Sequence, residues 1–169
     1  MEDNTSINFI VPELNLNYRL IRQLIIIKDL SYSSKGNPVL NLVKIGIFDF
    51  LVKYPHILKQ LLETKKRKLE LLNSERKSIE TLYPSKNEFL DINKTKTLLI
   101  IMLKFGLVEV SFKNEEIFYV ISDKGRLFIN DLDIEEILRI SELTDYLQVL
   151  KSVSNNELTK SIMPLIKGV

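Results

Sequence analysis

Few residues in this 169-residue chain have the chemistry for acid–base or metal work. There is one histidine, His56, directly after Pro55, and no cysteine. Without a second imidazole or a thiolate, a Cys/His zinc site and a thiol nucleophile are excluded, and a hydrolase triad would have to rest on His56 alone. At a predicted helix start, His56 reads as a capping or packing residue. Glu135 and Glu136 are adjacent, so on a helix they point in different directions and do not converge as an acid/base pair. Gly36, Gly46, Gly106, Gly125 and Gly168 are scattered and match no phosphate loop or dinucleotide fingerprint. Asp49, between Phe48 and Phe50, reads as a solvent-facing carboxylate. The expectation is a chain with no catalytic residues, no metal and no cofactor.

The remaining candidates are charged runs and apolar surface. Lys65, Lys66, Arg67 and Lys68 are consecutive, and residues 59–77 carry seven basic side chains against Glu63, Glu70 and Glu75. Each of the four cations can neutralise a phosphate, which makes them the candidate DNA contact. On a continuous helix the same residues form i,i+4 pairs, Glu63–Arg67 and Lys66–Glu70, and a solvated face. The acidic stretch Asp131, Asp133, Glu135, Glu136, Glu142 and Asp145 reads as a solvated face or a surface for a basic partner. The whole chain is nearly balanced, 24 basic against 22 acidic residues, unlike most chains that live on DNA.

These residues must be positioned by a globular body, since 45% apolar and 27% charged residues leave the disordered regime. The chain reads as a single compact domain, 1–169, mainly α with a small β-hairpin. Its sub-regions are a helical part at 13–80, a winged-helix-like unit at 86–131 and C-terminal helices at 132–169. Ile7, Phe9 and Val11 alternate ahead of Pro12 as a short extended segment. Helix-period apolar residues mark 15–30, apolar nearly all round through Leu24-Ile25-Ile26-Ile27. A second helix runs over 39–53, with Asn41 as a cap that moves its start toward Leu42. Pro55 breaks it. A third helix covers 57–74, unless a loop interrupts it at the basic run. Residues 78–92 are weakest for regular structure. Asn93 caps a helix over 94–105 that Gly106 closes.

Two alternating runs, 107–113 and 117–122, form a hairpin around Asn114-Glu115-Glu116. Ser122 or Asp123 caps a short helix to about Asn130. Further helices span 134–150 and 155–166, with Pro164 fraying the last. Helix, glycine, ribbon, helix is the back half of a winged helix, although any helical domain carrying a hairpin shares the pattern.

A DNA-reading helix needs exposed polar side chains. Beyond its first turn, the 94–105 helix is apolar on every side, and Glu115 and Glu116 at the wing tip repel phosphates. Such a helix is buried in the core or covered by a partner. Leu99, Ile100, Phe112 and Phe118 are therefore the candidate partner interface. The acidic, polar start is not a secretory signal. No apolar run reaches the roughly 18 residues of a membrane span. A cytoplasmic protein without membrane contact is expected.

Several segments together resemble a known family. They are Phe9-Ile10-Val11-Pro12-Glu13-Leu14-Asn15-Leu16-Asn17-Tyr18; Asn37-Pro38-Val39-Leu40-Asn41-Leu42 leading to Ile47-Phe48-Asp49-Phe50-Leu51; Phe105-Gly106-Leu107-Val108-Glu109-Val110; and Ile121-Ser122-Asp123-Lys124-Gly125. Their order resembles the middle component of ABC-three-component systems, fourth subtype, over roughly residues 9–165. The family is similar to the accessory subunit of Lamassu-type antiphage systems. The resemblance implies a small non-enzymatic adaptor. It would bridge a chromosome-maintenance-like ABC ATPase with a coiled coil and an effector, often a nuclease; the basic run adds the compromise that such an adaptor touches DNA only within the complex, through Lys65, Lys66, Arg67 and Lys68. The resemblance supplies no catalytic residues. The alternative from the residues alone is a winged-helix transcriptional regulator.

Overall fold

The computed structural model describes residues 12–77, 84–132 and 135–166. The extended segment expected around Ile7, Phe9 and Val11 lies outside them, as do residues 78–83.

A one-turn 3-10 helix, Pro12–Leu14, leads into α1, Leu16–Leu30. Asn15 caps α1: its side chain accepts from the N–H groups of Asn17 and Tyr18. α1 is the central element, and Arg22 through Ile27 are all buried. It packs chiefly against α8 (Glu135–Leu147), and also against α2 (Leu42–Lys53), α6 (Asn93–Lys104), α7 (Asp123–Asn130) and the hairpin. A helix buried around so much of its circumference needs neighbours on several sides, and this fold supplies them from within the chain.

Asn41 caps α2 through Lys44 N–H, and the same oxygen accepts from Asn155 Nδ2 at 3.1 Å. That ties α2 to α9, Asn155–Ile162, which Ser154 caps and which ends in a 3-10 turn, Met163–Leu165, around Pro164. Lys44 is buried and donates through Nζ to the Lys151 carbonyl at 3.0 Å. Burial pushes its ammonium below the ordinary lysine range.

Of the two readings of the third helix, the interrupted one holds: it does not run on to residue 74, because a loop takes over at the basic run. α3 runs Pro55–Glu63, with Pro55 in its first turn, where a missing N–H costs nothing. It stops because Lys66 takes a left-handed backbone (φ 57°). Arg67 N–H then reaches back to the Leu62 carbonyl (3.0 Å), and Lys66 N–H to Glu63 (3.0 Å). The chain continues without regular structure to α4, Asn73–Lys77. Leu69 is buried and anchors this stretch.

A further short helix, α5 (Lys86–Leu90), is capped by Ser85. α6 then begins at Asn93, not after it. Its preceding residue Ile92 makes no side-chain cap, and Asp91 Oδ1 accepts the Asn93 N–H at 2.9 Å. Gly106 ends α6 (φ 69°), with Gly106 N–H on Leu103 and Leu107 N–H on Met102.

The hairpin is β1 (Val108–Lys113) against β2 (Glu116–Ile121), antiparallel, from Val108 opposite Ile121 to Lys113 opposite Glu116. Its turn is the two residues Asn114 and Glu115, both left-handed (φ 51° and 64°), as the twist of a two-residue hairpin demands. Glu116 already belongs to β2. Tyr119 N–H bonds the Leu40 carbonyl at 2.8 Å, so the stretch before α2 lies along the outer edge of β2. The architecture is therefore mainly α with a small two-stranded hairpin, as expected.

Candidate functional site

A cleft of about 300 Å³ lies between the N-terminal turn, α2, α5 and the start of α6. Its floor is a charge network. Arg22 leaves the all-apolar face of α1 with its side chain buried. Asp49 of α2 meets it with two bonds, Nε to Oδ1 at 2.8 Å and Nη2 to Oδ2 at 3.1 Å. Glu13 takes the outer nitrogens of the same guanidinium. Lys53, one turn along α2, pairs with Glu88 of α5 and approaches Glu13 at 3.5 Å. Tyr54 donates its hydroxyl to Glu88 at 2.6 Å. The expectation that Asp49 faces solvent is thus corrected: it is the counter-ion of a buried arginine.

The electrostatics follow from these pairs. Burial alone would lower the Arg22 pKa, but Asp49 and Glu13 more than compensate and hold it above the ordinary guanidinium range. Burial would raise Glu13, yet its bonds to Arg22 and Lys53 keep it below the usual carboxylate range. Burial and the bond to Glu88 push the Tyr54 phenol up, away from ionisation. The rim is apolar: Leu14, Val43, Leu90 and Ile92 line the cleft and are exposed. Arg19, Asp91 and Lys94 add charge around it. The lining thus sets a small number of fixed polar groups among exposed apolar side chains, a mixture found in concave binding sites.

The sequence-predicted residues fall elsewhere. Lys65, Lys66, Arg67 and Lys68 are all exposed on the turn after α3. The i,i+4 pairs expected for them do not form, because the helix has ended. None of the four takes part in an ion pair among the described residues. Glu75 is drawn off to Arg139 of α8 (2.7 Å), which a hydrogen bond to Glu75 and a second to Glu142 hold above its ordinary pKa.

Leu99 is 2% exposed, so it belongs to the core and cannot meet a partner. Ile100, on the other side of α6, is exposed. Phe112 is 71% exposed at the hairpin tip. Phe118 is half-buried on the opposite face of the hairpin, since Phe112 lies across from Ile117. The four candidate interface residues do not make one surface.

His56 is half-buried beside Tyr54, with ring centroids 6.1 Å apart, and its buried Nδ1 has no hydrogen-bond partner among the described residues. Burial lowers its pKa. No group of three or more His, Cys, Asp or Glu able to hold a metal ion occurs among the described residues. Nor does any helix there have the length and apolarity to cross a membrane.

The Ser122-Asp123-Lys124-Gly125 step has a structural account. Ser122 Oγ accepts the Gly125 N–H at 2.9 Å and donates to the Gly106 carbonyl at 2.6 Å, capping α7 and joining it to the end of α6. A Cβ on Gly125 would meet the Leu107 carbonyl oxygen at 2.1 Å. Only glycine lets α7 lie this close to the start of β1.

No curated protein and no solved structure matches the chain. Residues 30–160 match the family model described as ABC-three component (ABC-3C) system Middle Component 4. That stretch holds α1's last residue through most of α9, including Asp49, Lys53 and Glu88 of the cleft and the whole hairpin. A middle component belongs to a system of several proteins, which implies protein partners and a role in an ABC-three-component defence system. With more than half of its length in the match, the chain belongs to the family of ABC-three-component system middle components, number 4.

Proposed function

We propose that the chain is a non-enzymatic adaptor that joins a coiled-coil ABC ATPase to an effector subunit, often a nuclease, in an antiphage complex of the Lamassu kind. The observation that carries this reading is the family match over 30–160. The chemistry of the cleft supports it. Arg22, Asp49, Glu13, Lys53 and Glu88 are engaged in ion pairs with one another, and Arg22 and Tyr54 are shifted up and Glu13 down, whereas acid–base catalysis needs a group poised near the working pH. The winged-helix-like unit at 86–131 contributes α5 and the start of α6 to the cleft, and acts as a protein dock rather than a DNA reader. A partner subunit binds here, with Leu14, Leu90 and Ile92 supplying apolar area and the Arg22 network setting register.

Co-expression with the neighbouring ATPase and effector tests the reading. A stable complex burying more than about 1,000 Å² is expected. Leu90→Glu and Ile92→Glu should each cut recovery of a partner about ten-fold, while Leu138→Glu, on an exposed site away from the cleft, should not. Equal recovery from all three variants would refute the cleft as the dock, and failure of the native chain to co-purify would refute the adaptor.

Lys65, Lys66, Arg67 and Lys68, exposed and without an ion pair among the described residues, favour an additional contact with DNA made only within the complex. Replacing all four by Gln should weaken salt-dependent DNA binding by the complex and leave its assembly intact. Strong, salt-sensitive duplex binding by the isolated chain would instead favour a winged-helix regulator.

A further inference from the structure

β1 is an open edge with a readable phase. Tyr119 donates its N–H to Leu40, so the Tyr119 backbone points away from β1. In an antiparallel pair, directly opposed residues either bond each other or both turn their backbone groups outward. Val110 lies opposite Tyr119, so it too turns its N–H and C=O outward, to the side of β1 away from β2. By the two-residue period, Val108 and Phe112 do the same. No strand covers that side among the described residues. On one face, Val108, Tyr119 and Ile121 pack on the core at the hairpin base. The same face continues past the core as Val110 (53% exposed), Phe112 (71%) and Ile117 (50%). An exposed, apolar edge strand is a template for another strand.

The residues of β1 say which strand. Val108-Glu109-Val110-Ser111-Phe112-Lys113 is complementary to itself. When it lies antiparallel to a second copy about Ser111, Val110 stands opposite Phe112 of the other chain, and Glu109 opposite Lys113. The outward-facing backbone groups are those of Val110 and Phe112, so these pairs make the hydrogen bonds across the axis. Their side chains form one apolar face, and two Glu109–Lys113 pairs form the other. Opposite charges across a ladder stabilise it, and like charges destabilise it. Among registers that match the outward groups, those centred on Val110 or Phe112 leave these charges unpaired. Both charged side chains are exposed, and among the described residues Lys113 Nζ bonds Asn37 Oδ1, a neutral partner.

We infer that the chain self-associates through β1, forming a four-stranded antiparallel sheet in the order β2-β1-β1-β2 about a two-fold axis. This goes beyond the adaptor reading and rests on none of its partners.

Sedimentation velocity on the purified full chain over a concentration series tests it. The native chain is expected to shift from the mass of one chain to that of two. Glu109→Lys should weaken this about ten-fold or more by setting Lys against Lys, and Lys113→Glu should do so by setting Glu against Glu. An equimolar mixture of the two variants should dimerise again, because each Lys then faces a Glu. Val110→Pro, which removes only an outward N–H, should abolish pairing, with circular dichroism confirming that each variant is folded. A native chain that stays monomeric throughout would overturn the inference; this includes the case in which a strand of another protein occupies the edge. So would a Glu109→Lys chain that dimerises like the native one, or a mixture that remains monomeric.

Discussion

At the scale of single residues, Arg22 shows what a buried charge demands. Removing one member of a buried pair leaves the other without compensation, typically costing about 3–5 kcal/mol, whereas replacing both with apolar side chains costs far less. Arg22→Met should therefore destabilise strongly in urea unfolding, and the double variant Arg22→Met with Asp49→Leu should recover much of the loss. His56 makes a second prediction at this scale. Its folded pKa lies below the ordinary value of 6.5 because burial disfavours the charged ring. A depressed pKa contributes stability that is present above 6.5 and lost as pH falls through the folded value. As the only histidine, its single imidazole resonance should titrate below 6.5 by NMR; a midpoint at or above that value would contradict the burial. The roles of these residues were only half legible in the sequence. An arginine inside the Leu20–Ile27 stretch must find a carboxylate, but which one depends on α2 lying beside α1, and no local pattern shows that. Leu99 and Ile100 look alike in sequence, and only the rotation of α6 against α1 separates core from surface.

Elements were legible where a side chain dictates the backbone. Asn41 and Ser122 cap α2 and α7 as their types predict, and Gly106 ends α6 in the left-handed turn that glycine favours. α3 ends in the same kind of turn, but on Lys66, which carries no such signal; the missing apolar residues at 65–68 leave a loop there as one of two readings, and only the structure decides between them. Lys66→Gly should relieve that strain and stabilise the fold by about 1 kcal/mol, read as a higher urea midpoint. Gly125→Ala should do the reverse. Alanine is the better helix former by about 1 kcal/mol, yet here its Cβ overlaps the Leu107 carbonyl, and overpacking of this kind costs about 1–3 kcal/mol or more. Net destabilisation is expected in thermal unfolding, and a neutral or stabilising result would mean α7 can shift away from β1. The hairpin was legible from its alternation, although its turn is tighter than expected because Asn114 and Glu115 both accept left-handed backbone.

For the whole molecule, the class of fold followed from composition and periodicity, whereas the cleft did not. Its parts come from the N-terminal turn, α1, α2, α5 and α6, which are distant in sequence and individually ordinary. The apolar excess of α1 proved to be core, so it gives no argument for a partner; that argument rests on family membership and on the cleft with its exposed rim. On the proposed reading, the chain works by joining other proteins. The most direct test is to tag it in its native operon, purify it from cells and identify what accompanies it by mass spectrometry. Recovery of a coiled-coil ABC ATPase together with an effector subunit is expected. Recovery of the chain alone, or with DNA only, would contradict that reading.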